Sequence, residues 1–125
     1  MKKLLIFILI TFSFSYKLKE FVTCKNVKNH IPINITSKFK VKDKKVYAFA
    51  YFKNIESNKT IDFIWEKYAN NKWNLYADIK LPIYKGYRWR TFSYINIRGS
   101  YYKGKWRVSL FDKNNTLSIK EFQIQ

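Results

Sequence analysis

Residues 88–108 carry the residue types best suited to binding chemistry. Two tryptophans, Trp89 and Trp106, are each flanked by basic residues, and a loop that contains Gly99 and Gly104 separates them. Two alternating segments joined by a glycine-containing loop predict a β-hairpin. Because side chains alternate between the two faces of a strand, one face of this hairpin would hold the tryptophans and the other would hold cations and rings.

The second of these faces is a candidate binding surface. The expected register pairs Ile97 with Gly104, which places Arg90 opposite Phe111. Such rows of guanidinium groups and rings either tie two strands together, at about 0.5 to 2 kcal/mol per cation-π contact, or stack and attract an anionic ligand. Both interpretations stay open at this point. The candidate face consists of Arg88, Arg90, Phe92, Tyr94, Lys105, Arg107 and Phe111.

Catalytic and metal-dependent chemistry finds little support in the sequence. The chain has one cysteine, Cys24, one histidine, His30, and 8 scattered carboxylates, whereas catalysis needs a base beside its acid or nucleophile. A structural zinc site needs about four Cys or His ligands, and neither a calcium loop nor a glycine-rich phosphate loop is present. The sequence therefore predicts a non-enzyme with no cofactor and no metal. A small hydrolase that uses His30 or an acidic pair ranks last.

The first fifteen residues have the pattern of a secretory signal peptide. Lys2 and Lys3 precede a short apolar run, and Ser13 and Ser15 are small residues at the spacing that cleavage requires. Cleavage after Ser15 would leave residues 16–125 as one extracytoplasmic domain, periplasmic or secreted. The alternative is an uncleaved N-terminal anchor, although the apolar run is shorter than the roughly 20 residues of a bilayer span.

The remaining chain consists of short alternating segments that turn residues separate. Residues 46–52 are apolar on both faces, as in a central strand, and residues 73–81 alternate between apolar and polar. This pattern predicts an all-β, immunoglobulin-like antiparallel β-sandwich of seven or eight strands. The core, or its margin, is expected to hold Trp65, Trp89 and Trp106. The expected strands run over residues 20–27, 35–41, 45–53, 60–67, 72–81, 89–97, 105–111 and 117–124.

A net charge of +17, together with 20% aromatic residues, limits the kind of partner. A field of this sign attracts phosphates, anionic lipids and acidic glycans. The expected partner is therefore an anionic glycan, lipopolysaccharide or an acidic protein, and peripheral contact with a membrane also fits. Nucleic acid is a poor candidate because an exported protein seldom meets it, and the sequence gives no oligomeric state. The alternative is a neutral carbohydrate that stacks on Tyr84, Tyr87, Tyr101 and Tyr102.

Short segments spread along the chain also follow a recognisable order. The most specific are Trp89-Arg90-Thr91-Phe92-Ser93 and Gly104-Lys105-Trp106-Arg107-Val108, and the others are Cys24, Val27, Pro32, Phe39, residues 46–49, residues 61–65, Leu81 and Phe122. In this order they resemble the DUF2914 family, a bacterial extracytoplasmic domain of unknown function. The resemblance implies a sandwich-like module outside the cytoplasm and implies no activity. Family members often have a histidine two residues before the tryptophan of the fourth strand, where this chain has Phe63, so any role of that histidine is absent.

Overall fold

The computed structural model describes residues 16–125, and the predicted signal peptide at residues 1–15 lies outside them. Within this range nine strands form two sheets, one of four strands in the order β2-β1-β4-β7 and one of five in the order β3-β9-β8-β5-β6. All neighbouring strands are antiparallel except β3 and β9, which are parallel. The strands are β1 Lys17–Lys28, β2 Ile31–Ile35, β3 Lys38–Phe39, β4 Lys45–Ile55, β5 Lys59–Ala69, β6 Lys72–Ile83, β7 Gly86–Asn96, β8 Gly104–Asp112 and β9 Asn115–Ile124. The all-β prediction is confirmed, whereas the predicted count of seven or eight strands is wrong.

The additional strand arises in the region that was expected to form one strand over residues 35–41. Asn29 and His30 both have positive φ, 51° and 60°, and such a pair closes a tight hairpin whose twist matches that of its strands. The chain therefore folds back at once, and β2 pairs with β1. It then leaves the four-stranded sheet after Ile35 and enters the other sheet as β3.

The hydrophobic core lies between the two sheets and is filled by alternate residues of their strands. Trp65 and Trp106 are fully buried, and each indole N–H has an acceptor: Trp65 Nε1 donates to Ser93 Oγ (3.2 Å) and Trp106 Nε1 donates to the backbone oxygen of Tyr102 (2.8 Å). Trp89 is half-buried against the core. Its indole N–H has no hydrogen-bond partner within residues 16–125.

A β-bulge in the pairing of β5 with β6 changes the alternation that was expected for residues 73–81. The register shifts between Trp65 and Glu66 of β5, and a bulge of this kind turns the residues beyond it to the opposite face. Ala77 packs against the core, whereas Leu75, beyond the bulge, is 66% exposed. The uniform alternation predicted for this strand is therefore wrong at its N-terminal end.

Tyr16, the first described residue, is part of the folded domain. Its ring packs edge-on against Phe52 at 5.7 Å between ring centres, and its hydroxyl donates to Asp112 Oδ2 (2.5 Å). Lys59 Nζ donates to the same oxygen (2.8 Å). The sandwich thus extends to the residue that would follow the predicted cleavage site. Within residues 16–125, no helical segment is long and apolar enough to cross a bilayer.

Candidate functional site

The two strands that carry the candidate binding residues do not pair with each other. β7 pairs with β4 in the four-stranded sheet, whereas β8 lies between β5 and β9 in the five-stranded sheet. The expected hairpin is therefore wrong, because the chain between these strands crosses from one sheet to the other. Arg90 lies opposite Tyr51 instead of Phe111. A period of two shows which residues share a face of a strand, but it does not show which strand lies beside it.

Four of the predicted binding residues remain together on the outer side of the four-stranded sheet. Their neighbours come from β4, where Tyr47, Phe49 and Tyr51 alternate with core residues and lie opposite Tyr94, Phe92 and Arg90 in register. Sequence reasoning recognised β4 as apolar on both faces but did not connect it with β7. We call this surface the aromatic-basic face; it consists of Lys45, Tyr47, Phe49, Tyr51, Lys53, Arg88, Arg90, Phe92 and Tyr94.

The cations of the aromatic-basic face lie over aromatic rings. The Arg90 guanidinium carbon is 4.2 Å from the centre of the Tyr51 ring, and Lys45 Nζ is 4.5 Å from the centre of the Tyr94 ring. Each exposed contact of this kind contributes about 0.5 to 1 kcal/mol. A cation-π contact is electrostatic and leaves most N–H donors of the lysine or arginine unbonded. The same groups can therefore still donate hydrogen bonds to a ligand.

Cations also lie over an aromatic ring, Tyr87, at the end of this face that is far from Lys45 and Tyr94. Lys53 Nζ is 5.0 Å and the Arg88 guanidinium carbon is 5.7 Å from the centre of the Tyr87 ring. Tyr87 itself is 62% exposed. Cations paired with rings therefore lie at both ends of the aromatic-basic face.

The centre of the face is packed and fixed. Phe49 is only 1% exposed although it belongs to the outer side, because it lies between Val22 of β1 and Phe92 of β7 in register. The centre of the Tyr47 ring lies 5.8 Å from the centre of the Phe92 ring and 5.2 Å from the centre of the Tyr94 ring. At about 3.4 Å per residue, the row from Arg88 to Tyr94 is roughly 20 Å long. The result is a closely packed platform of rings and cations.

The charge balance differs sharply between the two sheets. The four strands of the four-stranded sheet contain eight basic residues and one acidic residue, Glu20. The five strands of the other sheet contain eight basic and five acidic residues. Among residues 16–125, no salt bridge involves Lys45, Lys53, Arg88 or Arg90. Positive charge therefore stays uncompensated on the aromatic-basic face.

The other three predicted binding residues lie on the outer side of the five-stranded sheet. Arg107 Nε donates to Glu66 Oε1 (2.7 Å), and the guanidinium carbon is 4.3 Å from the centre of a Trp73 ring. Lys105 Nζ lies 3.8 Å from Glu121 Oε1, and Phe111 is half-buried. The cations on this side are thus partly neutralised by carboxylates.

The four tyrosines predicted as a neutral-sugar surface do not form one surface. Tyr84 packs on Trp89 of the four-stranded sheet, with 5.0 Å between the ring centres. Tyr102 packs on Tyr76 of the five-stranded sheet, with 5.9 Å between the ring centres. The hydroxyls of this second pair lie 3.0 Å apart. This hydrogen bond, reinforced by burial, raises the pKa of Tyr76 to about 12.

Cys24 and His30 do not form a catalytic pair. Cys24 is fully buried in β1, between Ile35 and Tyr47 in register, and burial is the main cause that raises the pKa of its thiol to about 11. A protonated, shielded thiol is a poor nucleophile. His30 lies in the β1–β2 turn. Residues 16–125 contain no group of three or more His, Cys, Asp or Glu side chains that could hold a metal ion.

Comparison with solved structures shows what this fold is similar to. An immunoglobulin-like protein from Pseudomonas aeruginosa has a TM-score of 0.58 at 10% identity, over 88% of this chain and 96% of that one. An alkylpurine DNA glycosylase from Pseudomonas fluorescens, bound to DNA containing an abasic site analog, has a TM-score of 0.60 at 9% identity, over 89% of this chain and 30% of that one. A β-glucosidase from Erythrobacter marinus has a TM-score of 0.56 at 5% identity, over 89% of this chain and 15% of that one. Such identities show the immunoglobulin-like fold alone.

Comparison at the level of sequence identifies the family. No functionally curated protein matches the chain. The model of a family described as "Protein of unknown function (DUF2914)" matches residues 58–124, a range that includes the segments around Trp65, Trp89 and Trp106. The segments from Cys24 to Phe49 that also suggested the resemblance lie outside this range. Because the match covers more than half of the 125 residues, the chain belongs to the DUF2914 family.

Proposed function

We propose that this protein is an exported, non-catalytic binding module that holds an acidic glycan of the cell envelope on the aromatic-basic face. The observation that carries the proposal is the placement of Lys45 and Arg90 over rings on a sheet whose strands contain one acidic residue. On the other sheet, Lys80, Lys105 and Arg107 have carboxylate partners. The outer sides of the two sheets therefore differ in charge, and the four-stranded sheet should attract an anionic ligand more strongly.

An acidic glycan suits this platform in both of its components. Its carboxylates would accept hydrogen bonds from the lysine and arginine groups, and its sugar rings would stack on exposed tyrosines such as Tyr94, which is 40% exposed. A packed surface roughly 20 Å long favours an extended chain, whereas small molecules are usually bound in concave pockets. Electrostatic attraction over an exposed surface is screened by salt, so the affinity should fall as ionic strength rises.

The proposal places the protein outside the cytoplasm. The basic and apolar pattern of residues 1–15 supports export, and Tyr16 is held inside the fold, which makes residue 16 a suitable start for the mature domain. An exported bacterial protein would encounter acidic glycans in the cell envelope.

Two matched double variants test the binding surface. Arg88→Gln with Arg90→Gln removes two charges from the aromatic-basic face, and Lys105→Gln with Arg107→Gln removes two from the opposite side. Polygalacturonate is the acidic probe and dextran is the neutral control, with affinities measured by calorimetry at low salt. At about 1 kcal/mol for each lost contact, the first variant should bind polygalacturonate about 30-fold more weakly. The second should stay within about threefold of the wild type.

Different outcomes would contradict different parts of the proposal. Equal losses in the two variants would show that net charge alone drives binding and would refute the assignment to this face. Failure of the wild type to bind polygalacturonate, together with binding to anionic lipid vesicles or to polyglutamate, would replace the glycan by a membrane or an acidic protein. Salt-independent binding of dextran would support the neutral-carbohydrate alternative instead.

A further inference from the structure

A small basic pocket lies at the end of the aromatic-basic face. The β4–β7 ladder ends with Lys45 opposite Asn96, and one further bond, from the Ile97 N–H to the Lys44 oxygen (2.9 Å), continues it into the adjoining loops. There the two loops line an open pocket of about 370 Å³. Its lining residues are Val41, Lys42, Lys44, Ile97, Arg98 and Gly99.

The pocket combines an apolar floor with a rim of three cations. Ile97 is fully buried and Val41 packs against the hydrophobic core, whereas Lys42, Lys44 and Arg98 are exposed. Concave surfaces lined by one sign of charge over a low-dielectric wall concentrate the electric field and raise the local concentration of counter-ions. The geometry therefore favours an anion at this position.

Three other concavities on residues 16–125 differ from this one in their charge. Each of them mixes lysines with an acidic residue: Glu56 in the first, Asp62 in the second and Glu121 in the third. The nearest carboxylate to the basic pocket along the chain is Asp43. That group accepts a hydrogen bond from the Lys40 N–H (2.8 Å) and lies 3.7 Å from Lys25 Nζ, and it does not line the pocket.

The loop that supplies two of these cations is held in an uncommon conformation. Lys44 has φ of 71°, in the left-handed region that glycine and asparagine adopt far more readily than lysine. Its N–H donates to the Val41 oxygen (3.0 Å), and its own oxygen accepts from Ile97. Strained residues kept in place by their surroundings often mark functional positions. Here the two hydrogen bonds hold the Lys44 backbone at the rim of the pocket.

We propose that this pocket binds a single compact oxyanion of the phosphate class, either free or as the terminal group of a phosphorylated glycan. The inference stands apart from the proposed function, because it concerns different residues and a monomeric ligand. Lys42, Lys44 and Arg98 form no salt bridge within residues 16–125. Each would donate to one phosphate group through charge-assisted hydrogen bonds, which are about twice as strong as neutral ones.

Titration of the folded protein with inorganic phosphate, followed by backbone amide NMR, tests the proposal. Saturable shifts are expected at Lys42, Lys44 and Gly99. Glucose 6-phosphate, with glucose as control, distinguishes the two sources: tighter binding than inorganic phosphate indicates a terminal glycan group, and equal binding indicates the free ion. Both results support a phosphate site. Absence of saturable shifts with either ligand, or shifts spread equally over the lysines of the protein, would overturn it.

Variants separate this site from the aromatic-basic face. Lys42→Gln with Arg98→Gln should weaken phosphate binding at least about tenfold, whereas Lys72→Gln with Lys120→Gln, which neutralises two exposed lysines elsewhere, should leave it unchanged. Lys44→Gly removes the third cation while it suits the left-handed backbone, so this variant should fold at least as stably as the wild type and still bind more weakly.

Full phosphate affinity in both pocket variants would refute the proposal. Substitution of Arg88 and Arg90 should not affect phosphate binding. Loss of polymer binding in that variant with retained phosphate binding would show that the two sites act independently.

Discussion

Replacement of Asp112 by alanine should destabilise the domain more than any substitution of an exposed carboxylate. The Asp112 side chain is 7% exposed and accepts hydrogen bonds from both Tyr16 and Lys59. A hydrogen bond to a charged group contributes about 1.5 to 3 kcal/mol, but the Lys59 side chain is 26% exposed, so its ion pair is discounted to about 1 kcal/mol for screening by water. The expected loss of unfolding free energy is about 3 kcal/mol, or a fall of roughly 10 °C in Tm.

The pH dependence of this effect has a definite sign. Burial by itself would raise the pKa of Asp112, but the hydrogen bonds from Lys59 and Tyr16 outweigh it and hold the pKa below the usual value. A carboxyl group with a lowered pKa in the folded state stabilises the protein above its unfolded pKa and loses this contribution as the pH falls through the folded value. The difference between wild type and variant should therefore be full at about pH 6 and should shrink below about pH 4.

Tyr16 sets the pH dependence of stability on the alkaline side. Burial, followed by the hydrogen bond to Asp112, raises the pKa of Tyr16 well above its usual value. Stability that depends on the neutral phenol is present below its unfolded pKa of about 10 and is lost as the pH rises beyond it. The wild type should accordingly lose stability at alkaline pH through this residue.

Urea unfolding followed by tryptophan fluorescence, repeated from about pH 3 to about pH 11, measures both effects. Asp62→Ala is the matched control, because its ion-pair partner Lys80 has a side chain that is 63% exposed, and the expected loss is below about 0.5 kcal/mol. If the urea midpoint of Asp112→Ala at neutral pH is no lower than that of Asp62→Ala, the assignment of Asp112 as a buried anchor is wrong.

Three further results are expected. Ser93→Ala should lower the unfolding free energy by about 1 to 2 kcal/mol, because it leaves the buried Trp65 indole N–H without its acceptor. Ser109→Ala is the comparison in the same urea assay, because Ser109 is also buried but accepts no hydrogen bond from an indole within residues 16–125. Cys24 should react with Ellman's reagent only on unfolding, since its thiol is buried and has a raised pKa; rapid reaction in native buffer would contradict this. N-terminal sequencing of the exported protein should begin at Tyr16, and a start at Met1 would indicate an uncleaved anchor.

Sequence patterns predicted most of the strands because alternation of polar and apolar residues is a local property. The expected strands at residues 45–53, 60–67 and 105–111 lie within β4, β5 and β8. Errors occurred where a backbone conformation decided the outcome. The positive φ angles of Asn29 and His30 closed an unexpected hairpin, and the bulge beside Trp65 turned Leu75 outward.

The sequence predicted the residues of the candidate site that lie on β7, but it did not predict their partners on the neighbouring strand. Arg88, Arg90, Phe92 and Tyr94 were identified because residues at every second position of one strand share a face. Their partners Tyr47 and Tyr51 were missed, since they lie about 40 residues away in sequence, on a strand whose neighbour no local pattern reveals. The residues across the loop, Lys105, Arg107 and Phe111, were wrongly joined to them.

The sequence by itself determined the positive charge of the protein, its strand-forming segments and the alternation that places rings and cations on one side of β7. Only the tertiary structure decided that β7 pairs with β4 and that β8 belongs to the other sheet. Strand pairing depends on burial of apolar side chains between two sheets, which is a property of the whole chain. Within residues 16–125, that pairing places Arg90 beside Tyr51 with no carboxylate in salt-bridge contact, whereas Arg107 pairs with Glu66. It therefore separates the surface proposed for binding from the one neutralised by ion pairs.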